Sequence, residues 1–209
     1  MSSPTRRNGD ATRQRLIRAA LDLFTTIGFA EATTPEIARR AGVAEGTIYR
    51  HFTGKTHLFN EVYRGTQRWA LKVARELESD RTARARERLM HVARQLIETA
   101  ERDPALIRML LHPREERQLD DKSREAAREF REALQQLVAM GKSDGQVRPG
   151  PAELWASVWL AIVAFVTERV SAKEWAPDHP QVGQTLEAAW DAIASRPPNL
   201  VHAPATGEP

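Results

Sequence analysis

The sequence predicts an all-α protein of about nine helices. Apolar residues recur every three or four positions almost throughout the 209 residues, and no stretch alternates convincingly between apolar and polar residues. Glycines and prolines interrupt the apolar stripes where helices commonly end or begin. Hydrophobic residues make up 41% of the chain and charged residues 28%, as is typical of a folded protein with a packed core.

Four helices are predicted in the first third of the chain. The first carries an apolar stripe that ends at Ile27 and is stopped by Gly28. The second opens on Thr34 and Pro35, because proline suits the first helical turn, and it ends at Gly42. A short third helix follows, and a long fourth helix continues to about residue 79.

Five more helices are predicted beyond a charged run that marks the border of the first domain. One ends before Pro104, a short apolar one ends before Pro113, and a highly charged one covers 115–140. A loop rich in Gly and Pro then precedes the last two helices. The first of these is apolar over 152–170, and the second is amphipathic around Trp190.

The predicted elements divide into two domains with a linking helix between them. We expect a three-helix domain over 11–58, whose last helix runs on to about residue 79, and a second helical domain over 80–196. Residues 1–10 are expected to form a flexible basic arm. Residues 197–209 are rich in proline and are expected to form a disordered tail.

Charge is distributed unevenly between the two predicted domains. The first 75 residues contain 13 Lys and Arg against 6 Asp and Glu, whereas the remainder contains 18 against 22. A basic head on a mildly acidic body is typical of a domain that binds a polyanion and is joined to a soluble partner domain.

Composition also excludes several kinds of site. The chain contains no cysteine, which rules out disulfides, thiolate metal sites and cysteine nucleophiles. The first ten residues lack the apolar stretch of a secretory signal. The strongly apolar segment 154–166 is about a dozen residues long, shorter than the roughly 20 that span a bilayer. We therefore expect a cytoplasmic protein with no membrane partner.

The segment 33–52 carries the pattern most indicative of function. It places two short helices around Gly42, where a tight turn requires a residue free to adopt positive φ. Ala38, Val43 and Ile48 would pack the two helices together and leave the intervening residues facing outward. This is the layout of a helix-turn-helix, whose second helix enters the major groove of DNA.

Over roughly residues 12–62 the sequence resembles the tetracycline-repressor (TetR) family of transcriptional regulators. The strongest motifs are Glu36-Ile37-Ala38, Ala41-Gly42-Val43 and Gly46-Thr47-Ile48-Tyr49-Arg50-His51-Phe52, followed by Lys55 and Leu58. The later helices match the family in layout rather than in sequence. The resemblance implies a three-helix helix-turn-helix DNA-binding domain followed by a helical domain for ligand binding and dimerisation.

The resemblance also implies roles for individual residues. The positions that resemble the family's phosphate-contacting set are Thr34, Tyr49, His51 and Lys55. The positions that resemble its base-facing set are Glu45, Gly46, Thr47 and Arg50. Arginine can pair with guanine, glutamate can accept from cytosine, and glycine allows close approach. The sequence departs from the family at Ala44, where a capping serine is common, and at Pro35, where some members have arginine.

Simpler interpretations remain open for single residues. Tyr49 could be an ordinary half-buried aromatic, and we expect Phe52 to be core. Arg39 and Arg40 fit a solvated helix face better than a base contact. A basic arm that contacts the DNA backbone or minor groove could be formed by Arg6, Arg7 and Arg13. Alternatively, Arg6 and Arg7 could belong to an unstructured tail.

No enzymatic, metal or cofactor site is predicted. The motif 53–56 imitates the end of a phosphate loop, but Tyr49 stands where the motif requires glycine, and no strand precedes it. His57 and Glu61 could share a metal on one helix face, yet a third ligand is missing and a surface pair fits better. Catalytic triads and paired carboxylates are not evident.

The apolar helix over 152–170 predicts a homodimer. A helix that is apolar nearly all round must be buried on several sides, and one intrachain contact would not cover it. Pairing with a second copy would form a four-helix bundle, whereas burial inside a larger monomer core is the alternative. The residues expected at the dimer interface are Trp155, Val158, Ile162, Phe165, Val166, Leu186 and Trp190.

The resemblance further implies a cavity in the second domain for a small-molecule effector, which we expect to be hydrophobic. The candidate lining residues, each of which could equally be core, are Leu96, Met109, His112, Phe130, Leu134, Trp159 and Val163. The resulting hypothesis is a repressor that binds a palindromic DNA operator as a dimer and is released by the effector. A ligand-independent DNA-bridging or architectural protein is the alternative.

Overall fold

The computed structural model describes residues 4–77, 80, 82–111 and 116–195, with side chains from Gly9 onward. Within these ranges the chain forms nine α-helices and two 3-10 turns, which confirms the predicted all-α fold. The helices are α1 Pro4–Thr26, α2 Thr34–Ala41, α3 Ile48–His51, α4 Lys55–Arg75, α5 Ala85–Arg102, α6 Pro104–Leu111, α7 Asp121–Ser143, α8 Ala152–Ser171 and α9 Pro180–Asp191. The 3-10 turns are Glu45–Thr47 and Glu116–Gln118.

Helix α1 begins at Pro4 and therefore includes most of the segment expected to be a flexible arm. Proline suits the first helical position, because the backbone N–H that it lacks would have no partner within the helix there. At its other end α1 stops at Thr26, so Ile27 lies beyond the helix and is 44% exposed rather than part of the buried stripe. Gly28 follows with φ of 92°, which turns the chain toward α2.

The connection from α4 to α5 is held by the buried side chain of Arg88. Its guanidinium donates to the carbonyl oxygens of Leu77, Asp80 and Ala83, the last at 2.9 Å. These contacts satisfy backbone acceptors where the chain leaves α4. Helix α4 consequently ends at Arg75, a little earlier than the apolar stripe predicts.

Helix α7 begins later than the sequence predicts because a capping residue fixes its start. The carboxylate of Asp120 accepts a hydrogen bond of 2.8 Å from the backbone N–H of Ser123. An aspartate at this position satisfies one of the free N–H groups of the first turn. The preceding residues form the 3-10 turn Glu116–Gln118 instead of helix.

Two hydrophobic cores organise the molecule into a head and a body. The head comprises α1, α2, α3 and the first half of α4, and the body comprises the rest of α4 and α5 to α9. The largest fully buried head side chains are Leu16, Ile37, Ile48, Phe52, Leu58 and Val62. Their counterparts in the body are Leu89, Leu96, Ile107, Leu134, Trp159 and Ile193.

Helix α6 belongs to both cores and joins them. Ala105 and Met109 pack in the head cluster, whereas Ile107 and Leu110 pack in the body cluster. Alternate residues of one short helix therefore contact each domain. Any movement of the head against the body has to displace this helix or slide along it.

Helix α8 is longer than the apolar segment read from the sequence. It has 20 residues, and by length and composition alone it could cross a membrane. Its inward face, however, is packed against the other body helices, with Trp159, Val163, Val166 and Val170 fully buried. The core of a water-soluble helical domain accounts for these side chains.

Candidate nucleic-acid interface

The turn between α2 and α3 has the geometry that a helix-turn-helix requires. Gly42 lies in the left-handed region with φ of 66° and ψ of 42°. The N–H of Gly42 donates to the carbonyl of Arg39 at 3.1 Å, and that of Val43 donates to Ala38 at 3.0 Å. These bonds close the last turn of α2 and redirect the chain at once.

The residues 45–51, which we call the recognition segment, lie on the surface and are supported from beneath. Ile48 is fully buried and Phe52, directly after the segment, is nearly so. Glu45, Gly46 and Arg50 are exposed, and Tyr49 is 58% exposed. Thr47, which was also predicted to face outward, is half-buried, and Tyr49 is not a half-buried core aromatic.

The recognition segment starts without a side-chain cap. It opens as the 3-10 turn Glu45–Thr47 and becomes α-helical only at Ile48. Ala44 holds the capping position and makes no side-chain hydrogen bond there. The first N–H groups of the segment are thus left for solvent or for an anion such as a DNA phosphate.

A hydroxyl pair joins the recognition segment to α2. The Oγ1 of Thr34 and the phenolic oxygen of Tyr49 are 3.3 Å apart. Thr34 sits in the first turn of α2, where Pro35 and the Thr33 cap fix the start of the helix. Two candidate phosphate-contacting hydroxyls are thereby placed side by side on one exposed surface.

Lys55 is anchored within the head. Its Nζ donates to the carbonyl oxygens of Phe29 at 2.8 Å and Ala30 at 3.2 Å, and it lies 4.5 Å from the centroid of the Phe29 ring. An ammonium group has three donors, so these bonds leave one for another acceptor. Lys55 therefore holds the turn between α1 and α2, and one donor remains for the phosphate contact that the sequence predicts. His51, the fourth residue predicted to contact phosphates, is half-buried.

Of the other head arginines considered in the sequence, two lie on exposed helix faces and one points inward. Arg39 pairs with Glu36 and Arg40 with Asp22, both on exposed helix faces as expected. Arg13 instead points into the head, where it pairs with Glu61 and lies over the ring of Phe52. Arg13 is thus engaged within the fold and does not belong to a free arm, and the side chains of Arg6 and Arg7 lie outside the described residues.

The candidate effector residues that the structure describes lie in two different places. Five of them are buried together in the body core: Leu96, Phe130, Leu134, Trp159 and Val163. Met109 packs in the head core instead, because α6 presents that side to α1 and α4. His112 lies outside the described residues. The indole Nε1 of Trp159 is buried and has no hydrogen-bond acceptor among the residues that the structure describes.

The candidate dimer residues are also divided. Val166, Leu186 and Trp190 are buried within the chain's own core, which leaves them little surface for a partner. Trp155, Val158 and Ile162 are half-buried, whereas Phe165 is 44% exposed. Leu154 of the same helix was not among the expected interface residues, and it is 48% exposed.

A shallow groove of about 470 Å³ runs along the outer side of α8. Its lining is mostly apolar and consists of Leu111, Ser157, Leu160, Ala161, Ala164, Phe165 and Glu168. The small residues Ala161 and Ala164 leave room beside the Phe165 ring. This side of α8 is an apolar surface that the described part of the chain leaves uncovered.

Comparison with known proteins agrees with the geometry of the head and body. The family model described as bacterial regulatory proteins, tetR family, matches residues 16–62. The model described as the tetracyclin repressor-like C-terminal domain matches residues 66–195. The two matches together extend over nearly all of the described chain.

Individual relatives match over part of the chain. The chain is 42% identical over 67 residues to the HTH-type transcriptional regulator SrpR of Pseudomonas putida, which is 32% of each protein. It is 36% identical over 118 residues to the probable acrEF/envCD operon repressor of Escherichia coli strain K12, covering 54% of this chain and 52% of that protein. The alignments with these curated relatives thus span between a third and about half of the relatives' lengths.

A solved structure extends the likeness to the whole fold. A TetR family transcription regulator from Marinobacter aquaeolei VT8 superposes with a TM-score of 0.77 over 91% of this chain and 100% of that one, at 20% identity. The fold is therefore shared where the sequence has diverged. With both domain models matched in order, the chain belongs to the TetR family of DNA-binding transcription regulators.

Proposed function

We propose that the protein is a ligand-responsive repressor that binds a palindromic operator as a homodimer. The observation that carries this proposal is the recognition segment, which presents Glu45, Gly46 and Arg50 outward from a buried support, with Thr47 half-buried beside them. A short rigid rod of this kind fits the major groove, where side chains can reach base edges. In the cell, such a regulator works in the cytoplasm.

The contacts divide into those that read bases and those that fix register. Arg50 is suited to guanine, Glu45 to the amino group of cytosine, and the exposed Gly46 to close approach of the backbone. Thr34, Tyr49, His51 and Lys55 are proposed to contact phosphates, and the hydroxyl pair of Thr34 and Tyr49 supports this for two of them. Phosphate contacts set affinity and its salt dependence without reading sequence.

The uncovered side of α8 supports homodimerisation. Leu154 and Phe165 are large apolar side chains exposed on one helix, and contiguous apolar patches mark interaction sites. The proposed interface pairs α8 and α9 with the same helices of a second copy. It is carried by Leu154, Phe165 and the half-buried Trp155, Val158 and Ile162, with the buried members of the predicted set lying behind them.

The body core supports an effector that is mainly hydrophobic but carries a hydrogen-bond acceptor. Trp159 lies at the centre of the core, and its indole N–H has no acceptor among the described residues. Leaving a buried donor unpaired costs about 1–3 kcal/mol. An acceptor atom on the effector, placed among Leu96, Phe130 and Val163, would recover that free energy and favour one conformation of the body.

The decisive experiment selects bound sequences from random double-stranded DNA with the purified full chain. We expect a palindromic consensus, and fluorescence anisotropy on it should then separate the two kinds of contact. Thr47→Ala and Arg50→Ala should relax base choice, whereas His51→Ala should weaken binding to all sequences and flatten the salt dependence. Equal effects of all three on random DNA would contradict the assignment.

The same selection distinguishes the repressor from a DNA-bridging or architectural protein. Enrichment of one palindrome supports the repressor, whereas broad recovery of unrelated sequences supports the alternative. Addition of small hydrophobic compounds to the complex then tests the effector. If no compound in a broad set changes either thermal stability or DNA affinity, the proposed ligand response is wrong.

A further inference from the structure

A continuous chain of polar contacts crosses from the head to the body. It starts beneath the recognition segment, passes through two arginines and two carboxylates, and ends at the first turn of α7. The residues that form this relay are Phe52, Arg13, Glu61, Arg64 and Asp120, with Asn60 and Ser123 packed against its body end. Neither the motifs nor the apolar stripes of the sequence indicate it.

At the body end of the relay, Asn60 and Ser123 are buried, whereas Asp120 is exposed. Asn60 of α4 donates to the carbonyls of Thr56 at 2.9 Å and Gln118 at 2.8 Å. Its Oδ1 accepts from the N–H of Asp120 at 2.8 Å and from the hydroxyl of Ser123 at 2.6 Å. These four bonds use the whole capacity of the amide, so α4 and the start of α7 are held in one register.

The central contact is between Arg64 of α4 and Asp120, the cap of α7. One amino group of Arg64 lies 2.9 and 2.8 Å from the two carboxylate oxygens, and 3.1 Å from the Ser123 hydroxyl. Its other amino group donates to Glu61 at 2.5 Å. The Arg64 side chain is only 10% exposed, whereas the Asp120 side chain is 46% exposed, so solvent reaches this contact from the Asp120 side.

The head end connects this pair to the recognition segment. Glu61 also accepts from Arg13 of α1, and the Arg13 guanidinium lies 5.3 Å from the centroid of the Phe52 ring. Phe52 directly follows α3 and supports the recognition segment from beneath. A shift of Asp120 is therefore transmitted through charged groups that cannot lose their partners without cost.

Helix α7 is also the element through which the body core would act on the relay. Its inward face carries Phe130 and Leu134, which pack in the same core as Trp159. A cleft of about 730 Å³ lies on the outer side of α4 and α7, and Glu61, Arg64 and Asp120 are among the residues that line it.

We propose that Arg64 and Asp120 are positioning residues for operator binding. They fix the angle between head and body, and in the proposed dimer this angle sets the distance between the two recognition segments. This inference rests on the proposed function. Neither residue lies on the recognition segment. Breaking the pair should therefore impair recognition of the spacing between the two half-sites of a palindrome, but not binding to a single half-site.

Asp120→Asn is the sharpest test, because asparagine keeps the helix cap and the shape while removing the charge that faces Arg64. The measurement is fluorescence anisotropy on the selected palindrome, on a single half-site, and on palindromes with one base pair added or removed at the centre. We expect affinity for the palindrome to fall at least about fivefold, in the range of typical coupling between sites. Half-site affinity should stay within about twofold, and the preference for one spacing should broaden.

Two further variants make the result decisive. Arg64→Lys keeps the charge but not the planar donor arrangement and should behave like Asp120→Asn, and it serves if the first variant folds poorly. Arg128→Gln is the matched control, because Arg128 pairs with Glu125 and Glu132 along α7 itself, and it should leave DNA binding unchanged. Combining Glu61→Gln with Asp120→Asn should give effects that do not add, since both act through Arg64.

The outcomes separate this inference from the proposed function. If the wild-type chain selects no palindrome, the proposed function is wrong and this inference is overturned along with it. If the wild type prefers one spacing and folded Asp120→Asn keeps that preference and affinity, only the positioning role is overturned. Equal losses on the palindrome and the half-site would also overturn it, because they would indicate damage to the recognition segment itself.

Discussion

Two glycines of the helix-turn-helix have different physical reasons for being glycine. Gly42 has positive φ, and a Cβ added there meets only the Arg15 guanidinium at 3.8 Å, so the constraint is backbone conformation rather than space. A Cβ added at Gly46 would have no neighbour within 4 Å, and Gly46 does not have positive φ. Its constraint, if it faces DNA, comes from the bound duplex.

Alanine substitutions at these two glycines should therefore affect different properties, namely stability at Gly42 and DNA binding at Gly46. Gly42→Ala should lower the free energy of unfolding by about 1–2 kcal/mol, the cost of a left-handed conformation for a residue with Cβ. Gly46→Ala should leave that free energy nearly unchanged and weaken operator binding. Urea denaturation and anisotropy on the selected operator measure the two effects. Loss of stability in Gly46→Ala with intact DNA affinity would contradict this division.

Gly141 of α7 is constrained by close packing. A Cβ at this position would lie 2.8 Å from both the Cβ of Ala85 and a methyl carbon of Val147. The Ala85 methyl cannot rotate away, so α5 and α7 would have to move apart. The sequence places this glycine inside a helix, where it would otherwise only weaken the helix.

Gly141→Ala should accordingly destabilise the protein by about 1–3 kcal/mol, as overpacking commonly does. Gly65 in α4 is the matched control, because it is exposed and has no neighbour within 4 Å. Gly65→Ala should raise stability by up to about 1 kcal/mol through helix propensity. Thermal unfolding by circular dichroism compares the two, and a stabilised Gly141→Ala would refute the packing argument.

At the scale of elements, the periodicity of apolar residues predicts well that the segments are helices and in which order they occur. It does not predict which elements pack against each face of a helix. The turn at Gly42 and the buried Ile48 follow from local spacing, and the structure has both. Val166 packs within the chain's own core and Met109 in the head core, which could not be predicted because the apolar face of a helix does not reveal which element covers it. For Met109, the cover is α1 and α4, which are distant in sequence.

Polar contacts between distant helices were beyond sequence analysis for a related reason. Arg64 and Asp120 are 56 positions apart, and each alone reads as an ordinary surface charge. Their pairing depends on the packing of α4 against α7, which only the folded chain defines. By contrast, the missing cap at Ala44 is a local feature, and it was visible in the sequence.

The uncovered side of α8 leads to a prediction about assembly. Phe165→Glu should convert the proposed dimer to monomer, because a charge buried against the partner's apolar surface would weaken association by about 2 kcal/mol or more. Sedimentation velocity over a concentration series measures this. Met140 on α7 is a matched control, since it is 41% exposed but lies on another helix, and Met140→Glu should leave assembly unchanged. A monomeric wild type would contradict the dimer itself.

At the scale of the whole molecule, the head and body are held together in part by ionised groups. Burial would raise the pKa of Glu61, but hydrogen bonds from Arg64 and Arg13 outweigh it and lower that pKa below its usual value. The pKa of Asp120 is lowered in the same way, since bonds from Arg64 and Ser123 outweigh its desolvation. The same carboxylates raise the pKa of Arg64 against the effect of burial, so the arginine stays charged.

Groups whose pKa is lowered in the folded state stabilise it above their unfolded pKa, and this contribution is lost as pH falls through the folded value. The free energy of unfolding should therefore be steady near neutral pH and decline below about pH 4. Other acidic and basic side chains line the adjoining cleft, namely His57, Asp121, Lys122, Glu125 and Glu129. The exposed Asp80, whose pKa is lowered by hydrogen bonds from Thr82, adds to the same decline.

A double variant isolates the share that belongs to the contact between head and body. Glu61→Gln combined with Asp120→Asn should be less stable than the wild type at pH 7, because both charged partners of Arg64 are lost. Its stability should then change less between pH 5 and pH 3, since the two groups that gain protons in the wild type are absent. Urea titrations at each pH provide the comparison. Parallel pH profiles would mean that Glu61 and Asp120 titrate alike in the folded and unfolded chain, and that their ion pairs contribute no stability at neutral pH.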